Sequence, residues 1–135
     1  MKISFHKVLL KKRFPLAISR GINADSYNVF VGVKENDLIG WGESAPGNTE
    51  GATNTKEVIL QLQKLVDVNI EDKSIYEIEH ISREMKISPC AYAGLDIALW
   101  DLKAKKAKMP LYELLGLPLP KSKTSLTIGI MSPNS

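Results

Sequence analysis

Tyr27, Val29, Val31 and Val33 alternate with Asn28, Phe30, Gly32 and Lys34, and a period of two marks a strand with one buried face. Glu35, Asn36 and Asp37 supply a turn before residues 38–45, so 27–45 is predicted to be a β-hairpin. Upstream, Ile3, Phe5, Val8 and Leu10 nearly alternate with polar residues, and the parity slip between Phe5 and Val8 predicts a bulge or bend. With 2–13 laid alongside the hairpin, the first third forms a three-stranded antiparallel sheet.

The period then changes. Asn54 precedes Glu57 by three, a capping-box spacing, and Val58, Ile59, Leu62, Leu65 and Val66 fall on one helical face, predicting a helix over 56–68. Ser74 and Glu77 repeat the box ahead of Ile75, Ile78, Ile81 and Met85, which predicts a second helix over 75–86. Ser88 before Pro89 starts a third and longer helix that runs to Lys108. Its many small side chains (Ala91, Ala93, Gly94, Ala98, Ala104, Ala107) allow a neighbour to approach its backbone closely. Residues 110–115 form a short fourth helix, stopped by Gly116 and Pro118. Leu126, Ile128 and Ile130 alternate again, so 124–131 reads as a strand after the helices. The fold class is α+β: a three-stranded antiparallel meander followed by a bundle of three to four helices.

A chain of 135 residues holds one compact domain and is too short for a complete barrel. Its 44% hydrophobic and 24% charged residues carry no bias toward disorder or a membrane span. Lysines interrupt the first residues, leaving no apolar stretch for a signal peptide, so the expected location is cytoplasmic. The net charge of +3 is spread between apolar positions rather than gathered on one face, which argues against nucleic acid as a partner.

Candidate chemistry is sparse. The one cysteine, Cys90, sits near a helix start whose dipole is expected to lower its pKa, yet neither His6 nor His80 is placed to act on it, so it is expected to be a packing group. Asp96 and Asp101 are five apart and point to different helix faces, so they are expected to bond to backbone or to lysines rather than to share a metal. Glu43 and Glu50 make a better carboxylate pair but have no nearby base. Trp41 and Trp100 are expected to be core anchors. No catalytic residue and no metal ligand is assigned within the chain.

Four stretches, in order, resemble the mandelate racemase and muconate lactonizing group of the enolase superfamily, and within it the dipeptide epimerases. They are Gly40-Trp41-Gly42-Glu43-Ser44-Ala45-Pro46, the alanine-rich helix from Ala91 through the Trp100-Asp101 pair to Leu102, Pro110-Leu111-Tyr112-Glu113-Leu114-Leu115-Gly116, and the strand from Thr124 to Ile130. The resemblance implies an amino-terminal capping domain over 1–121, then a linker and the first strand of a truncated TIM barrel over 122–135. It implies that the chain alone is inactive. In the full-length enzyme, barrel residues would remove a proton next to a carboxylate with the help of Mg2+.

By the same resemblance, two loops of the cap choose the substrate. The first is 18–24, with Arg20, Gly21 and Ile22, and the second is 46–53, with Asn48 and Glu50. An arginine suited to gripping a carboxylate makes an L-Ala-D/L-Glu dipeptide the first expected substrate. The expected partners are the barrel of the same polypeptide, a small carboxylate-bearing substrate and further copies of the protein. The competing reading is an autonomous interaction module without catalytic activity, which would tuck 124–131 into its own sheet.

Overall fold

The alternation around Val29, Val31 and Val33 becomes the central strand of a sheet whose inner face carries the core. The structure, a computed structural model, describes residues 1–13, 16–18, 21–23, 25–119 and 121–125, with backbone alone for 16–18 and 21–23. Strands β1 (Lys2–Leu10), β4 (Ser26–Glu35) and β5 (Leu38–Ser44) form an antiparallel sheet in the order β1-β4-β5. Between β1 and β4 the chain makes a separate two-stranded hairpin, β2 (Leu16–Ile18) and β3 (Gly21–Asn23). Helices α1 (Thr55–Asp67), α2 (Ile75–Glu84), α3 (Pro89–Ala107) and α4 (Leu111–Leu114) follow.

The expected bulge in β1 is absent. Pairing with β4 runs without offset from Lys2 opposite Lys34 to Leu10 opposite Ser26. Ile3 and Phe5 pack toward the helices, whereas Val8 and Leu10 are half-buried positions on the opposite parity. The apolar residues change face while the ladder stays in register, because both faces of this strand are partly covered. Within the loop expected over 18–24 lie the end of β2 and all of β3, strands of three residues that are too brief for a period to show.

Local capping agrees with the sequence. Ser74 and Glu77 close both halves of their box, the Ser74 amide donating to Glu77 Oε2 at 2.7 Å and the Glu77 amide to Ser74 Oγ at 3.3 Å. At α1 the arrangement is offset by one: Asn54 Oδ1 accepts from the Glu57 amide at 3.1 Å, but the Glu57 carboxylate reaches the Thr53 amide instead. Ser88 Oγ accepts from the Ala91 amide at 3.3 Å, and Lys108 ends α3 in the left-handed region at φ 55°.

What seats the helices is the meeting of α3 with β5. A Cβ added to Gly42 would lie 2.0 Å from the Gly94 carbonyl oxygen, and one added to Gly40 would lie 2.1 Å from that of Ala98. From the helix side, a Cβ on Gly94 would lie 2.3 Å from Ser44 Oγ. Backbone therefore lies on backbone. α3 also satisfies the outer edge of β5: the Trp41 amide donates to Asp101 Oδ2 at 2.8 Å, and Lys105 Nζ donates to the Ile39 carbonyl at 2.8 Å. Around this contact Val31, Val58, Leu62, Leu65, Ile78 and Leu95 fill a closed core.

The same contact corrects the expectation for Trp41, which is 43% exposed. Inward positions on β5 belong to Gly40, Gly42 and Ser44 because α3 leaves no room for anything larger, so Trp41 faces outward over Gly32 and beside the His6 ring. Trp100 is half-buried on the flank of α3, edge-on to Tyr76 with 6.2 Å between ring centroids. The expected strand over 124–131 falls almost wholly outside the described residues, and 124 and 125 carry no regular structure.

Replacing Gly42 with Ala should cost about 3 kcal/mol, because a methyl group must displace helix backbone. Gly116→Ala, at φ +68° with nothing within 4 Å of the new atom, should cost only about 1 kcal/mol of left-handed strain. Denaturant midpoints of the two variants measure the difference, and equal losses would mean that the close approach is not tight.

Candidate functional site

The segment that carries the chain from β5 to α1 is held at its base and open at its tip. Ser44 Oγ donates to the Ala91 carbonyl at 3.1 Å, and Cys90 Sγ to the Ala45 carbonyl at 3.2 Å, so both residues that leave β5 are tied to the first turns of α3. Gly47 and Ala52 then form an isolated bridge, the Gly47 amide donating to the Ala52 carbonyl at 2.9 Å. Ala52, at 1% exposure, plugs the core beneath the loop. Asn48, Thr49 and Glu50 stand above it in solvent, with Thr49 Oγ1 donating to Glu50 Oε1 at 2.8 Å.

Gly51 closes the turn at φ +80°, and a Cβ there would come within 2.9 Å of Ser88 Cβ. Gln61 of α1 sits at this junction. Its Nε2 donates to the Gly51 carbonyl at 3.4 Å and its Oε1 accepts from the Ser88 amide at 2.7 Å. Sequence reasoning passed over Gln61, whose only signal is a polar side chain three residues after Val58, at the edge of the apolar stripe of α1.

The two expected loops are thus built differently. Asn48 and Glu50 share the tethered loop. Gly21 and Ile22 lie on β3, paired with Ile18 and Ala17, while Arg20 lies outside the described residues. An open cleft of about 360 Å³, lined by Glu35, Lys73, Leu99, Lys103 and Lys106, lies toward the other end of α3.

A sheet of order β1-β4-β5 with four helices after it, and a glycine-rich exit from β5 strapped to an alanine-rich helix, has counterparts among known proteins. Residues 2–116 match the profile described as "Mandelate racemase / muconate lactonizing enzyme, N-terminal domain". The chain belongs to this family. It is 54% identical over 133 residues to the hydrophobic dipeptide epimerase of Flavobacteria bacterium (strain MS024-2A), covering 98% of this chain and 38% of that protein. With the hydrophobic dipeptide epimerase of Roseobacter litoralis it shares 44% identity over 134 residues, 99% of this chain and 39% of the relative. The crystal structure of the dipeptide epimerase from Cytophaga hutchinsonii, complexed with Mg and the dipeptide D-Ala-L-Val, superposes with a TM-score of 0.80 at 28% identity, over 98% of this chain and 37% of that one. The chain thus spans little more than a third of the length of these relatives.

In this mandelate racemase and muconate lactonizing enzyme domain, the described residues contain no group of three His, Cys, Asp or Glu side chains that suits a metal ion. The acidic residues singled out from the sequence are engaged separately. Asp101 takes the Trp41 amide and an ion pair with Lys105 at 2.6 Å, the backbone and lysine partners expected of it. Asp96 instead receives the Tyr92 hydroxyl at 3.5 Å, and burial, with Glu79 nearby, raises its carboxyl above the ordinary range. Glu43 accepts from Asn28 on the outer sheet face, away from any pairing with Glu50. His6 touches Ser4 Oγ at 3.1 Å, and His80 lies 3.3 Å from Glu84 on an exposed helix face.

Cys90 packs against the core as expected, but its pKa moves opposite to the expected direction. Burial, and then the Glu50 carboxylate, push the thiol above the usual cysteine value. Alkylation of Cys90 should therefore be slower at pH 8 than that of a small free thiol, and its pH midpoint should lie higher. Glu50→Gln should lower that midpoint. A midpoint below that of the free thiol would show that the helix dipole dominates.

Proposed function

We propose that this chain is the capping, substrate-selecting part of a hydrophobic dipeptide epimerase, and that it works with a barrel supplied by the same polypeptide. The observation that carries the reading is 54% identity, across 98% of the chain, to a protein of that name. A second relative at 44% bears the same name. These likenesses favour a hydrophobic dipeptide over the L-Ala-D/L-Glu substrate expected from Arg20.

On this reading residues 1–121 are the cap and 122–135 lead into the barrel, which holds the acid-base groups and the ligands of any Mg2+. The exposed tip with Asn48 and Glu50 faces the dipeptide, together with the 18–24 segment of the sequence, which holds Arg20, Gly21 and Ile22. Such a division suits Asp96 and Asp101, which are engaged by hydroxyl, backbone and lysine partners. A hydrophobic dipeptide has one carboxylate, at its carboxyl terminus, and Arg20 is proposed to grip it through paired charge-assisted hydrogen bonds. Exposed Leu115, Leu117 and Leu119 provide apolar surface for the rest of the polypeptide or for further copies.

The test is exchange of the α-proton for deuterium, followed by NMR, with the full-length polypeptide and Mg2+. Hydrophobic dipeptides should exceed L-Ala-L-Glu in kcat/KM by about tenfold or more, and residues 1–135 alone should give no turnover. Preference for L-Ala-L-Glu would sink the substrate assignment. Arg20→Met should raise KM roughly tenfold for neutral and acidic dipeptides alike. A loss confined to acidic dipeptides would return the L-Ala-D/L-Glu reading.

A further inference from the structure

We propose that Gln61 is a positioning residue for substrate binding: its side-chain amide is a strut that sets the height of the 46–53 loop against the start of α3. The inference rests on the reading above, in which the tip of this loop faces the dipeptide.

The geometry is that of a shared fastener. One end of the amide group accepts the Ser88 amide at 2.7 Å, and the other donates to the Gly51 carbonyl at 3.4 Å. Ser88 is the N-cap of α3, so its own amide lies ahead of the helical ladder and needs a partner from elsewhere. At Gly51 the loop backbone passes close to Ser88, where an added Cβ would come within 2.9 Å of Ser88 Cβ. A single side chain therefore links the loop, α1 and α3 where they converge.

One turn earlier on the same face of α1, Glu57 performs a related task. Its carboxylate accepts the Thr53 amide at 2.7 Å and the Thr53 hydroxyl at 2.9 Å. Glu57 and Gln61, four apart, form two rungs that hold the descending limb of the loop. The Gly47–Ala52 bridge and the Cys90 contact fix the base, while Asn48 and Glu50 at the tip make few ties of their own. Their placement is inherited from the limb below, and the Gln61 rung is the one that joins that limb to α3.

Glutamine is suited to this role because it donates and accepts at once. Gln61→Glu keeps the acceptor for Ser88 and turns the donor into a second acceptor facing the Gly51 carbonyl, releasing the loop while sparing the helix start. Gln61→Met keeps the volume and removes both bonds.

The experiment uses the full-length polypeptide with Mg2+ and a hydrophobic dipeptide, and measures amide hydrogen exchange of residues 47–53 without substrate alongside steady-state kinetics. Both variants should speed exchange in the loop about tenfold and raise KM about fivefold while kcat stays within about twofold. Gln61→Glu should do so with a melting temperature close to that of the parent. Unchanged loop exchange in both variants overturns the strut. Faster exchange with unchanged KM overturns the proposal from the other side, because the loop would then not face the dipeptide. A fall in kcat and melting temperature in both variants, with KM unmoved, would show Gln61 to be merely structural.

Discussion

The close approach of α3 to β5 is the constraint on which the other features depend. A helix normally stands off a sheet by the length of its side chains, roughly 10 Å between layers. Here glycine on both sides removes that spacing, and the carbonyls of Gly94 and Ala98 rest where Gly42 and Gly40 would otherwise carry side chains. The helix is thereby locked in translation and rotation together. A small slide along the strand would bring Trp41 or Glu43 no nearer, but it would lift Asp101 and Lys105 away from the edge amide and carbonyl they satisfy.

From that lock the loop at the end of β5 acquires its place. Ser44, the last residue of the strand, binds the first turn of α3, and Cys90 binds the next carbonyl along. The burial that raises the Cys90 thiol is a by-product of the same arrangement, which turns a helix-start cysteine into a packing group. Gln61 completes the enclosure from the α1 side. The outcome is a loop tied by hydrogen bonds at its base, with an exposed tip at Asn48, Thr49 and Glu50.

The distribution of charge follows the same division of labour. Glu77 caps a helix, Asp101 holds a strand edge and pairs with Lys105, and Glu35 pairs with Lys106. The chain belongs to the mandelate racemase and muconate lactonizing enzyme family, and its relatives carry the same segment as 38% and 39% of their length.

Periodicity and capping residues determined the elements. The two-residue alternation of 27–33, the Ser74–Glu77 box and the Ser88-Pro89 start are local signals, enforced by backbone hydrogen bonding and side-chain sterics within a few residues. The small residues of α3 even announced a close neighbour, though not which one. Tertiary structure decided the rest. The outward turn of Trp41, the uninterrupted β1 ladder and the raised Cys90 thiol each depend on what packs from elsewhere in the chain, and so does the junction at Gln61. Facing partners 27 residues apart, such as Gln61 and Ser88, leave no periodic trace, because a single long-range hydrogen bond constrains two positions without repeating along either element.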